Sequence, residues 1–287
     1  DFHSTRFAAG FASAHGIPAI GIQHHHAHVA AVAAEHGVRG PLLGLALDGV
    51  GLGTDGRAWG GELLRVEGGM CERLGHLREL ALPGGDRAAR APWRMAAAAL
   101  HAMGRGEEIV TRLRHPAAAT VSQMLKREFN SPRTSSAGRW FDAAAGLLGV
   151  REACSFEGQA AMLLEGLAAR HGAVEALADG YDLGSDGVLD LLPLLANLAQ
   201  AQDAGYGAAL FHATLARALA EWVAAAAGRT GLSRVAFGGG CFVNHVLSNS
   251  LRANLERSGL SVLEARAAPA NDGGLAFGQA AAAMARG

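Results

Sequence analysis

Lysine is almost missing from this chain: Lys126 is the single one in 287 residues. Arginine carries the remaining positive charge, which beside so much alanine and glycine reads as a coding bias rather than chemistry. The formal net charge is −1, so there is no basic footprint for nucleic acid. Cysteine is scarce too. Cys71, Cys154 and Cys241 lie far apart and form no CxxC, which excludes a disulfide framework or a zinc ribbon and suits a reducing cytoplasm. No apolar run reaches about 18 residues, so no membrane span is expected. The opening, DFHSTRFAAGF, lacks a basic leader and a cleavage pattern, so no signal peptide is expected.

What is present is half apolar, enough for one large domain or two small lobes. The pattern predicts a helix over residues 4–15, with Ser4 or Thr5 as cap, and a strand over Ile17–Ile22. It predicts a helix over His24–His36 and a buried strand over Leu42–Asp48. A glycine turn, DGVGLGTDG, leads to strands over Arg57–Val66 and Met70–Leu77. Asp86–Gly172 reads as helical with breaks, and Tyr181–Leu198 as partly loop. Gly205–Ala227 reads as a long helix. Strand Arg234–Phe237, helix Asn244–Ser258, strand Ser261–Glu264 and helix Gly274–Ala285 complete an α/β layered core.

The strongest chemical signal is His24-His25-His26-Ala27-His28. On a helix His24 and His28 stand one turn apart on one face, where both can reach one metal. His25 and His26 point away from such a site. Asp48 ends an apolar strand, and a strand-end acid can hold a cation while Gly49 and Gly51 let the backbone approach a phosphate. A simple tight turn explains those glycines equally well. Asp272 is a helix N-cap by default, or a second carboxylate on the metal. Two histidines and two aspartates make a mixed N/O site for a divalent metal. No HExxH occurs, so a zincin protease is not indicated.

The run Gly238-Gly239-Gly240-Cys241-Phe242-Val243-Asn244 sits between strand and helix, where amides bind anions. It is neither a Walker loop nor GxGxxG. Asp142 and Glu157 are candidate ribose ligands, although each alone is more often a capping or solvated acid. The candidate nucleotide contacts are therefore Gly49, Gly51, Asp142, Gly146, Glu157, Gly238, Gly239, Gly240 and Asn244. Cys241 reads as a small packing residue, and Glu62 has no nameable partner. The loop around Ser131–Gly138 is a candidate mobile segment.

QHHHAH at 23–28, LDGVGLGTDGRAWGGE at 47–62 and TSSAGRWFDAAAGLLG at 134–149 together resemble HypF, a carbamoyltransferase family of [NiFe]-hydrogenase maturation. FEGQAA at 156–161, GGGCFVN at 238–244 and NDGGLAFGQA at 271–280 extend the resemblance over essentially the whole chain. It implies the Kae1-like portion, of the actin/sugar-kinase/Hsp70 fold with ribonuclease-H-like sheets. Residues 1–40 would then be part of a first lobe with the metal-binding helix, and 41–287 a second lobe with a helical insertion over about 85–200. Asp1–Phe7 looks like the middle of a family segment, so an N-terminally truncated domain is expected, without the family's acylphosphatase-like, zinc-finger-like and YrdC-like parts.

The resemblance implies a metal on His24, His28, Asp48 and Asp272, and ATP or carbamoyl-adenylate as nucleotide. Histidine and carboxylate suit iron(II), zinc or manganese, and magnesium would accompany the nucleotide. It implies transfer of carbamoyl to the C-terminal cysteine of a HypE-like partner, with no nucleic acid or membrane involved. The attacking atom would come from the acceptor, which fits the lack of an internal nucleophile. Rival readings are O-carbamoyl transfer to a small-molecule hydroxyl, threonylcarbamoyl transfer to tRNA, and a fragment that only binds nucleotide or partner.

Overall fold

The computed structural model describes residues 3–286; Asp1, Phe2 and Gly287, which the expected segment and domain limits include, lie outside the described residues. Helices α1 (His3–His15) and α2 (His24–Glu35) come first. Ser4 and Thr5 lie within α1 rather than capping it. The strand expected over Ile17–Ile22 is not formed: the segment has no regular secondary structure and joins no sheet. Pro18 offers no ladder donor and Ile17 and Ile20 stay exposed, so the apolar residues find no sheet to join.

β1 (Leu42–Leu52), β2 (Ala58–Glu67) and β3 (Met70–Leu77) form an antiparallel meander. β4 (Leu80–Ala81), α3 (Asp86–Ala89), α4 (Pro92–Ala102), α5 (Glu108–Leu113) and α6 (Ala118–Lys126) follow. Then come β5 (Arg133–Thr134), α7 (Ala137–Leu147) and α8 (Gln159–His171), so a short strand interrupts the expected helical stretch. Residues 181–198 resolve into β6 (Asp182–Leu183), β7 (Val188–Asp190) and α9 (Leu192–Leu198). α10 (Ala204–Thr230) starts at Asp203, whose carboxylate accepts from the Gly205 and Tyr206 amides, and stops at Gly231 with φ of 70°. β8 (Arg234–Gly238), α11 (His245–Arg257), β9 (Ser261–Leu263) and α12 (Leu275–Met284) close the chain.

Among the described residues the strands make one nine-stranded sheet, ordered β6-β7-β3-β2-β1-β8-β9, with β4 and β5 joined at the side through β2. β8 lies parallel to β1 and β9 parallel to β8. A three-stranded meander continued by parallel strands is the arrangement expected of one ribonuclease-H-like lobe.

Both faces of β1 are covered, which is why it reads as an unbroken apolar run. Leu43, Leu45 and Leu47 point into the large helical core with Phe141, Phe211 and Trp140. Leu42 and Ala46 point the other way, into a smaller cluster with Val29 and Val32 of α2. By the same period of two, Asp48 faces α2. α2 lies between β1 and α12.

Candidate functional site

α2 begins at Gln23, whose side-chain oxygen accepts the His26 amide at 2.8 Å. That start fixes the helical phase of the histidines. His24 and His28 turn toward β1. His25 is held aside by Gln23 Nε2, which donates to its Nδ1 at 2.9 Å, and burial followed by the charge of His24 pushes its pKa down to about 3. His26 meets the Gly68 carbonyl at 3.0 Å.

The four candidate ligands converge: their donor atoms all lie within 4.8 Å of one another. His24 Nε2 is 3.0 Å from Asp48 Oδ2 and 3.4 Å from Asp272 Oδ1. His28 Nε2 is 3.3 Å from each carboxylate. The two Nε2 atoms are 3.1 Å apart. Donors about 2.0–2.1 Å from a tetrahedral ion would be separated by about 3.3 Å. The donor set therefore fits a single divalent ion. Burial works against a charged His28, but hydrogen bonds to Asp272 and Asp48 outweigh it and raise the pKa to about 9. Burial likewise opposes ionisation of Asp48, yet its contacts to His24 and His28 hold the carboxyl far below its ordinary range.

Asp48 is aimed by an irregularity in β1. The strand does not end at Asp48, as expected, but runs on to Leu52; its pairing with β2 jumps from Leu47–Gly61 to Gly51–Trp59. This bulge leaves Asp48 and Gly49 without regular strand partners. Asp48 Oδ1 instead accepts the Gly240 amide at 3.1 Å. Asp272 does not act as the cap of its turn; Asn271 does, accepting the Gly273 amide at 3.0 Å, which frees Asp272 for the histidines.

Several glycines read as nucleotide contacts have other local duties. A Cβ on Gly51 would stand 2.6 Å from both His24 Cδ2 and His25 Cε1, so its bareness makes room for the imidazoles. Gly238 lies against the His28 backbone, 2.9 Å from a Cβ built there. Gly239, at φ 102°, passes against the Leu47 carbonyl and donates its amide to Ala270 O at 2.9 Å. With the Gly240 amide on Asp48, the glycine run packs against α2 and β1 and supports the candidate ligand Asp48. Asn244 caps α11 through the Leu247 amide and donates to His212 Nε2 at 3.0 Å, so its side chain is taken. Gly146 lets α7 close on the Pro92 carbonyl of α4, a packing role.

Gly49, Arg139 and Glu157 do come together, on a cleft of about 660 Å³ that Thr134, Arg90 and Phe156 also line. A Cβ on Gly49 would stand 3.0 Å from Glu157 Oε1. Asp142 lies behind this wall, 3.1 Å from Arg139 Nη1. Burial raises the Asp142 pKa to about 6; Arg139 opposes the rise and Glu157 adds to it.

Sequence reasoning missed Glu62, which has four partners. Its Oε1 accepts from the Gly60 and Gly61 amides at 2.9 and 3.0 Å and from Ser135 Oγ at 2.5 Å. Its Oε2 accepts from Arg73 Nε at 2.6 Å. The Arg73 guanidinium in turn stacks 3.9 Å over the Trp59 ring. Next in the chain, Ser136 Oγ caps α7 and reaches the carbonyls of Asp48 and Gly49 at 2.9 and 2.6 Å. The expected mobile loop around 131–138 is instead pinned by these bonds. Adjacent glutamate and glycines in WGGE were the available signal.

The family description "Carbamoyltransferase, Kae1-like Domain, second subdomain" matches residues 44–279, and "HypF Kae1-like domain" matches residues 1–35. This chain belongs to the HypF carbamoyltransferase family. It is 56% identical to carbamoyltransferase HypF2 of Cupriavidus necator, over all of this chain and 39% of that protein. It is 54% identical to a carbamoyltransferase HypF homolog of the same organism, over 98% of this chain and 74% of the relative. The solved full-length HypF in its phosphate- and nucleotide-bound form superposes with a TM-score of 0.88 at 32% identity, covering 99% of this chain and 45% of that one. The fold is thus Kae1-like, and the chain spans about two fifths of the length of HypF2.

Proposed function

We propose that this chain is the carbamoyl-transferring portion of a HypF-type enzyme, moving carbamoyl from carbamoyl-adenylate to the C-terminal cysteine of a HypE-like acceptor in [NiFe]-hydrogenase maturation. One observation carries the reading: Asp48 belongs to the four-donor cluster, and the next residue, Gly49, lines the cleft. Ion and nucleotide would meet at one strand bulge. A solved relative in a phosphate- and nucleotide-bound form supports nucleotide binding.

His24, His28, Asp48 and Asp272 would hold iron, zinc, manganese or magnesium. Bound there, the ion supplies Lewis acidity and charge neutralisation to phosphate or carbamoyl oxygens. Gly49 leaves room for the ligand at the cleft wall, and Glu157, with Asp142 behind it, would take ribose hydroxyls. The acceptor thiolate attacks the carbamoyl carbon, the C–O bond to the adenylate phosphate breaks, and AMP leaves with the electron pair. None of the three thiols suits that attack: burial raises the pKa of Cys71, Cys154 and Cys241 above the ordinary thiol value.

The two-lobe division at about residue 40 is part of the same proposal, supported by family matches that end at 35 and resume at 44. A cytoplasmic location is also part of it; among the described residues no helix is long and apolar enough to cross a membrane.

The test mixes the chain with carbamoyl-adenylate and a cysteine-ended acceptor, and weighs the acceptor by mass spectrometry. A gain of one carbamoyl on the cysteine, lost in the His24→Ala/His28→Ala double variant, is expected. No gain on the cysteine, or a gain only on a sugar hydroxyl offered in parallel, would overturn the reading.

A further inference from the structure

Glu62 is a fully buried carboxylate that the mechanism above does not use. It lies on β2 behind the place where β1 bulges, two residues from the interrupted pairing at Gly60. It fixes the Gly60 and Gly61 amides and the Ser135 hydroxyl. Ser135 and Ser136 thereby lie flat on β2, where a Cβ on Gly60 would stand 3.0 Å from Ser136 Cα. Ser136 Oγ then reaches the carbonyls of Asp48 and Gly49, the groups the bulge releases from the ladder. Arg73 pairs with the other oxygen of the carboxylate and compensates its charge.

We propose that Glu62 is a positioning residue: through the Ser135–Ser136 segment it clamps the β1 bulge and sets the angle at which Asp48 enters the four-donor cluster. The inference rests on the metal reading of that cluster. Asp48 has a direct support of its own in the Gly240 amide, so loss of Glu62 tilts the ligand rather than freeing it. Groups that orient metal ligands typically change affinity about 10–100-fold when removed. Acting through backbone, Glu62 belongs at the lower end, about tenfold.

The experiment titrates zinc, and separately cobalt(II), into the full chain and into Glu62→Gln, Ser136→Ala and the combined variant, with thermal melting on each. The expected result is about tenfold weaker zinc binding in each single variant, with altered visible cobalt bands. The combined variant should lose no more than the larger single loss, because both changes act along one path. A purely structural Glu62 would lower the melting temperature but leave zinc affinity and cobalt bands of the folded variants at the parent values; that result overturns the proposal. If Glu62→Gln does not fold, Ser136→Ala decides alone, and parent-like zinc binding and cobalt bands there overturn it equally. A parent chain that takes up neither ion removes the metal reading, and the positioning role with it.

Discussion

A Cβ on Gly44 of β1 would stand 2.5 Å from Cγ2 of Val29 on α2. The bare position lets the strand and the histidine helix approach this closely. Gly44→Ala should push α2 outward, and the stiff β-branched Val29 cannot yield by changing rotamer. A loss of roughly 1–3 kcal/mol is expected from such overpacking. The displacement would also separate His24 and His28 from Asp48. Thermal melting with zinc titration checks both; unchanged zinc affinity in a folded variant would mean the helix position does not set the donor distances.

Asp142 gives a pH signature. In the folded chain its carboxyl keeps a proton up to about pH 6, because burial raises its pKa. In the unfolded chain the proton leaves near about pH 4. The native state therefore binds more protons between these values, and this group's contribution to stability falls as pH rises from about 4 to 6. Asp142→Asn removes that dependence. The melting temperature of the variant relative to the parent should rise between pH 4 and pH 7, by the equivalent of on the order of 2–3 kcal/mol. A difference that stays constant with pH would show a carboxyl that is ionised in its pair with Arg139.

Gly49→Val tests the cleft separately from the ion. The branched side chain would fill the space beside Glu157 Oε1, 3.0 Å from a Cβ at this position. ADP binding measured by calorimetry should fall several-fold while zinc uptake and melting stay near the parent. Undiminished ADP affinity would place the nucleotide elsewhere.

Glu35 anchors the segment that leads to Asp272. Its Oε1 accepts the Ala267 and Ala268 amides at 2.8 and 2.7 Å, and its Oε2 accepts the Arg266 amide at 2.8 Å. These three bonds, with Ala268 first, keep its carboxyl below the usual range. The side chain is only half-buried, so little global stability is at stake. Glu35→Ala should weaken zinc binding modestly by loosening the Asp272 approach, with almost no change in melting temperature. Equal zinc affinity in parent and variant would show that the 266–268 anchor is irrelevant to the cluster.

Much of this was readable in residue order. The His24–Glu35 helix, the buried strand from Leu42 and the long helix ending at Gly231 follow from apolar period and caps. The pairing of His24 with His28 follows from helical spacing alone. What could not be read was closeness between distant segments. Ile17–Ile22 has a strand's composition, but a strand needs an edge to pair with, and among the described residues this segment pairs with none. In residue order bare backbone looks the same whether it admits a ligand or a close neighbour, and Gly51 faces the His24 and His25 rings, Gly238 the His28 backbone and Gly239 the Leu47 carbonyl. Glu62 and Ser135 are 73 positions apart, so nothing local announced their bond.

Asp48 and Gly49 are consecutive, yet one turns to α2 and the other to the cleft. Sliding β1 by a single residue would exchange their sides and bring every leucine of the strand to the wrong layer. Insertions or deletions in Leu42–Leu47 are thus expected to abolish ion capture and nucleotide binding together, and never one alone.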